Sequence, residues 1–145
     1  MAHLSNVCLV DFAPPVAHPL LAPVLVAAGY PSPAQDYFDG TLNLNTHLIR
    51  DVTSTFVVRV SGDSMEGAGI SDGDELIVNR ALTPRDGSIV IAILDGELTV
   101  KRLLLKAGGV VLHAENPNYP DIEVPDANSL TVWGVAETCL HDLRN

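Results

Sequence analysis

A mostly β domain of short, twisted strands, carried behind an extended N-terminal arm, is what the sequence predicts, and three observations carry that expectation. Short β-branched runs recur from Thr41 onward, separated by Asp-Gly and proline-containing turns. No apolar period of 3.6 persists beyond about a dozen residues, so no long amphipathic helix is expected. Six of the ten prolines (Pro14, Pro15, Pro19, Pro23, Pro31 and Pro33) fall within residues 1–33, where they exclude a long helix or a central strand.

Taken in order, the proline-rich stretch holds Leu20, Leu21, Val24, Leu25 and Val26, the composition of an arm that lies against something. Leu42–Arg50 reads as a short helix or an extended segment. Strands are expected at Thr55–Val60, Glu75–Val78, Ile89–Leu94, Leu98–Leu105, Val110–His113 and Leu130–Val135. Asp39-Gly40, Asp72-Gly73 and Asp86-Gly87 supply turns, because glycine accepts a positive φ without steric cost. Asp95-Gly96, between two apolar runs, is the clearest hairpin signal in the chain. Neither an internal repeat nor a low-complexity tract interrupts this pattern.

Composition narrows the function. A chain of 145 residues with 47% hydrophobic side chains suits one domain with a real core. Eight Lys and Arg against 18 Asp and Glu give a formal charge of -10, which argues against direct binding to DNA, RNA or anionic lipid. Cys8 and Cys139 stand far apart with no second ligand pair, so neither a disulfide framework nor a zinc site is expected, and a reducing cytoplasm is. The N-terminus lacks the basic region of a signal peptide, and the longest apolar run, Leu20–Ala28, is broken by Pro23 and too short to span a bilayer.

Two features carry candidate chemistry. Ser61-Gly62-Asp63-Ser64-Met65 follows directly on a predicted strand. Such a turn can expose a hydroxyl beside backbone N–H groups, hence a nucleophile with oxyanion donors, although Gly-Asp-Ser is also ordinary loop vocabulary. Lys101 lies inside the apolar run Leu98–Leu105, where alternation sets Thr99, Lys101, Leu103 and Leu105 on one face and Leu98, Val100, Arg102 and Leu104 on the other. A lysine there either snorkels to water or is desolvated and gives up its proton readily. In the second case it is a general base for a serine, with the Thr99 hydroxyl to orient it. The plain alternative makes these residues edge-strand cations that oppose aggregation; it is preferred for Arg102, and both readings stand for Lys101.

Three ordered blocks turn this into a specific resemblance: Ser61–Met65, then Gly69-Ile70-Ser71-Asp72-Gly73-Asp74, then Asp95-Gly96-Glu97-Leu98-Thr99-Val100-Lys101. Together they are similar to the LexA/UmuD family of self-cleaving serine peptidases, and the 37-residue spacing of Ser64 and Lys101 fits that family. Upstream, Val26-Ala27-Ala28-Gly29 and Ala28-Gly29-Tyr30-Pro31-Ser32-Pro33 resemble its processing sites, so the likeness runs from about residue 24 to the C-terminus.

The resemblance implies Ser64 as nucleophile, Lys101 as its base, the Ser64 and Met65 amides as oxyanion donors, and Ala28-Gly29 as the scissile bond. It implies an arm at residues 1–28, a linker at 29–40 and a peptidase domain at 41–145, with Val24–Ala27 docking as a strand in the cleft. Only 28 residues precede the cleavage site, with no recognition helix or basic patch, so the chain looks like the UmuD side of the family rather than its repressors. Signal peptidases share a Ser-Lys pair, but a membrane anchor is expected of them. A cytoplasmic homodimer is implied, cut when it meets a RecA filament on single-stranded DNA during the SOS response to DNA damage. The shortened form then joins a UmuC-like Y-family polymerase in error-prone translesion synthesis. No cofactor and no metal are expected.

The remaining polar residues gain plainer readings. His3, His18, His47, His113 and His141 form no pair at metal-ligand spacing and are read as surface or capping residues. Asp63 is expected to make an Asx-type bond in its turn. Asp72, Asp74 and Glu75 are expected in a solvated loop, and Trp133 in the core or a dimer interface. A noncatalytic binding module of the same fold, and a regulator derived from a phage repressor, are the alternatives.

Overall fold

The computed structural model describes residues 41–144, with only the backbone of Ala127, together with Pro19, Val26, Ala28 and Gly29. The chain divides into two units, Met1–His47 and Leu48–Asn145. In the first, the Leu42 N–H donates to the Pro19 carbonyl at 2.7 Å. Asn43 caps helix α1 (Leu44–Leu48), its Oδ1 accepting the Asn45 N–H at 3.0 Å, so the ambiguous segment is a single helical turn. Ala28 and Gly29 form an exposed bend. The rest of the expected arm and linker, with the Asp39-Gly40 turn, lies outside the described residues.

The second unit is built on seven strands: β1 (Thr55–Arg59), β2 (Glu75–Asn79), β3 (Ile89–Leu94), β4 (Glu97–Lys106), β5 (Gly109–His113), β6 (Ile122–Val124) and β7 (Leu130–Leu140). They form one antiparallel sheet in the order β1-β2-β7-β3-β4-β5-β6. β2 and β3 read as continuous apolar runs because they bury both faces, as Leu76, Ile77 and Val78 do in one and Val90, Ile91 and Ala92 in the other. Alternation along β3 splits the core: Ile91 joins Met65, Leu76 and Val78 on one face, while Val90 and Ala92 join Leu103, Leu112 and Val124 on the other. The β3–β4 hairpin turns on Asp95 (φ 51°) and Gly96 (φ 80°), the paired positive dihedrals of the expected tight turn.

Two strands differ from expectation. β6 is only three residues long between Pro120 and Pro125, too short for an alternation signal. β7 runs to Leu140 rather than stopping at Val135, through two bulges that hide its period. Ile77 pairs with Thr138 and Val78 with Ala136, leaving Glu137 as the extra residue. Likewise Ile91 pairs with Gly134 and Ala92 with Val132, leaving Trp133 over. Between the bulges, Gly134 lets the strands approach closely, since a Cβ there would lie 2.5 Å from Val78 Cγ1.

The released Trp133 packs on the first core cluster, its ring centroid 5.5 Å from that of Phe56 and 4.6 Å from the Arg80 guanidinium. β4 lies between β3 and β5, which corrects the edge-cation reading of Arg102. Its guanidinium instead donates to Glu115 Oε1 at 2.9 Å and to the Gly87 carbonyl at 2.6 Å.

Candidate active site

β1 runs through Val60 into the turn that carries Ser64. Gly62 adopts φ 96° there, and its N–H donates to Asp72 Oδ1 at 2.7 Å, so Asp72 closes this turn from ten residues away. Met65 is 2% exposed and anchors the turn in the first core cluster. Beyond it a 3-10 turn (Glu66–Ala68) closes when the Gly69 N–H donates to the Glu66 carbonyl at 2.9 Å and the Ile70 N–H to the Met65 carbonyl at 3.2 Å. A buried methionine beside a half-buried serine holds the hydroxyl at the protein surface on a fixed stem.

Lys101 comes from β4, in register with the fully buried Val90 of β3. Its side chain is buried at 8% exposure, and burial holds its pKa below the usual lysine range. The Nζ lies 3.1 Å from Ser64 Oγ, 3.0 Å from Thr99 Oγ1 and 3.2 Å from the Val100 carbonyl oxygen. Among the described residues it meets no carboxylate. Nζ donates to all three oxygens, and once it loses a proton its lone pair can face the serine hydroxyl instead. That arrangement can take the Ser64 proton as the oxygen attacks a carbonyl.

A cleft of about 300 Å³ adjoins the pair, walled by Val58, Val60, Ile91, Leu98 and Trp133, with Ser64 and Met65 in its lining. Among the described residues neither the Ser64 nor the Met65 amide donates to a backbone carbonyl. The structure therefore brings together Ser64, Met65, Thr99 and Lys101. Ala28 and Gly29 belong to the other unit.

Several polar residues act differently from expectation. Asp63 makes no Asx bond: Oδ1 accepts the Tyr119 hydroxyl at 2.5 Å, and its carbonyl accepts Asn116 Nδ2 at 2.8 Å. Asp74, expected in solvent, is 4% exposed. Its carboxylate accepts the Ser71 N–H at 2.8 Å, His141 Nδ1 at 2.6 Å and the Cys139 thiol at 3.3 Å. The Ser71 amide, then His141, holds Asp74 below the usual carboxylate range. Burial, with Asp74 beside it, pushes the Cys139 thiol up to about 11, which leaves it a poor nucleophile. His113 sits between Asp121 at 2.6 Å and Glu115 at 3.3 Å. Asn116 and Tyr119 went unread because Asn-Pro and Tyr-Pro steps look like any loop, and their partner lies 53 and 56 residues away.

Comparison with known proteins identifies the family of the chain. The Peptidase S24-like family model matches residues 19–137. Protein MucA of Salmonella typhimurium is 45% identical over 111 residues, covering 76% of this chain and 75% of that protein. Protein SamA of S. typhimurium strain LT2 is 44% identical over 118 residues, covering 81% of each. A LexA repressor of Delftia acidovorans is 42% identical over 120 residues, covering 81% of this chain but 53% of the repressor.

Proposed function

The chain belongs to the Peptidase S24-like family, in its LexA/UmuD group, and on that premise we propose that it is a self-cleaving subunit that cuts its own Ala28–Gly29 bond. Ser64 is the nucleophile in this reading and Lys101 its base, with Thr99 orienting the amine and the Ser64 and Met65 amides holding the oxyanion. One observation supports it above the others: a desolvated amine lies 3.1 Å from a hydroxyl, at the edge of an apolar cleft. The hydroxyl oxygen adds to the Ala28 carbonyl carbon as its proton passes to Nζ. The tetrahedral adduct then expels the Gly29 amine, which takes that proton, and water releases the acyl group from Ser64.

In this reading residues 1–28 are the arm removed, 29–40 a linker, and 41–145 the peptidase domain. Val24–Ala27 enters the cleft as an extended strand, its small and apolar side chains matching walls of valine, isoleucine and leucine. The product is a cytoplasmic homodimer that serves a UmuC-like Y-family polymerase in SOS mutagenesis, and a RecA filament on single-stranded DNA accelerates the cut. The charge of -10 supports that division of labour, with the partners holding the nucleic acid.

Intact mass of purified protein, incubated across a pH series with and without the RecA filament, tests the reading. The rate is expected to rise about tenfold per pH unit until the lysine is neutral, then level off. The new N-terminus is Gly29, and Ser64→Ala and Lys101→Ala each stay full-length. Prolonged alkaline incubation that leaves wild-type protein whole would instead identify a noncatalytic binding module.

A further inference from the structure

We propose that Asn116 and Tyr119, on the loop after β5, are positioning residues that hold Ser64 on its line to Lys101 by gripping the residue before it. The proposal rests on the reading of Ser64 and Lys101 as the cutting pair. Nothing in the sheet ladder fixes their separation, because β1 leads to the serine turn while β4 carries the lysine, and β2, β7 and β3 stand between them. The serine turn lies outside every strand pair, so the 3.1 Å contact depends on Met65 in the core and on whatever else grips the turn.

The loop grips the turn on both sides of Ser64. On one side Asn116 Nδ2 donates to the Asp63 carbonyl at 2.8 Å and the Tyr119 hydroxyl to Asp63 Oδ1 at 2.5 Å. On the other, the Gly67 N–H donates to the Glu115 carbonyl at 2.7 Å. Glycine is required at that approach, since a Cβ at position 67 would lie 2.6 Å from the Glu115 oxygen. The loop is braced internally by Asn118 N–H to Asn116 Oδ1 at 2.9 Å and Tyr119 N–H to the Asn116 carbonyl at 3.0 Å.

Its other anchor is the strand of the base. Arg102, next to Lys101, donates to Glu115 Oε1 at 2.9 Å, and β5 leads into the loop from His113, the register partner of Arg102. Glu115 thus binds β4 through its carboxylate and the serine turn through its carbonyl. The hydrogen bond to Asp63 also raises the Tyr119 pKa.

Tyr119→Phe and Asn116→Ala test this in the full-length chain. Cleavage followed by intact mass across pH should show a plateau rate at least about tenfold lower in each variant, with the pH midpoint unmoved, because misplacement by an ångström costs up to about a hundredfold while lysine solvation is untouched. In a Ser64→Ala background, which keeps the chain whole, amide hydrogen exchange of residues 63–69 should quicken about tenfold while β5 stays protected. Wild-type plateau rates, a shifted midpoint with an unchanged plateau, or unaltered exchange in the turn would each overturn the proposal. Wild-type protein that never cuts would defeat the reading of the pair instead, and the exchange arm still decides whether the loop holds the turn.

Discussion

Lys101 is the base of the proposed reaction, and its environment has a thermodynamic signature apart from catalysis. Burial disfavours its ammonium, so the folded chain holds that proton less tightly than the unfolded chain does. The desolvation penalty is present in full below the folded pKa and is relieved as pH rises from there toward the ordinary lysine value. In a Ser64→Ala background, the melting temperature of the Lys101 protein should therefore gain on that of Lys101→Met between neutral pH and about pH 10. Each kcal/mol of relief corresponds to about 4 °C in a domain of this size, and a difference that stays flat with pH would contradict a buried amine. Alternation along Leu98–Leu105 was enough to place Lys101 and Thr99 on one face. It did not show that β4 is flanked on both sides, which turns Arg102 from an edge cation into an ion-pair partner of Glu115. Asp74 was misplaced for a related reason. The fragment Ser71-Asp72-Gly73-Asp74 reads as a solvated turn, and its burial depends on Cys139 and His141, more than sixty residues on.

Among the elements, β7 is the one whose sequence misled most and whose shape matters most. Two extra residues in eleven shift the inward positions twice, so no single period of two describes it. The first bulge turns Trp133 toward the cleft wall, and Gly134 beside it fits only because it lacks a side chain. Gly134→Ala would press a methyl onto the fully buried Val78, which branches at Cβ and has no flexible end to swing aside. The expected loss is about 1–3 kcal/mol, read as a fall in denaturant midpoint at constant m-value, and unchanged stability would show that the strands can part at no cost. Strands with one unbroken pattern, such as β3 with its Asp95-Gly96 turn, were legible residue by residue. β6 was not, because three residues between prolines carry no periodicity.

At the scale of the whole chain, charge and composition say more about partners than about the fold. With 18 acidic side chains against 8 Lys and Arg, the protein should not retard single- or double-stranded DNA in a gel at physiological salt, before or after cleavage. Native mass spectrometry should show two copies per particle in both forms; a monomer, or a shifted DNA band, would contradict the assembly proposed above. The three sequence blocks around Ser64, Asp72 and Lys101 exposed the family because each sits where the backbone has little choice. One is a positive-φ glycine turn, one supplies the carboxylate that closes it, and one is the strand opposite Val90.

The oxygens around the Lys101 amine have a kinetic corollary. Burial depresses its basicity, and among the described residues no neighbouring charge contributes, so mobile ions have little to screen. On the proposed mechanism the lifetime of the uncut chain is expected to follow proton activity and hardly ionic strength, which cleavage rates across a salt series would check. If the chain cuts itself as proposed above, it is a slow timer set by the protonation of one nitrogen.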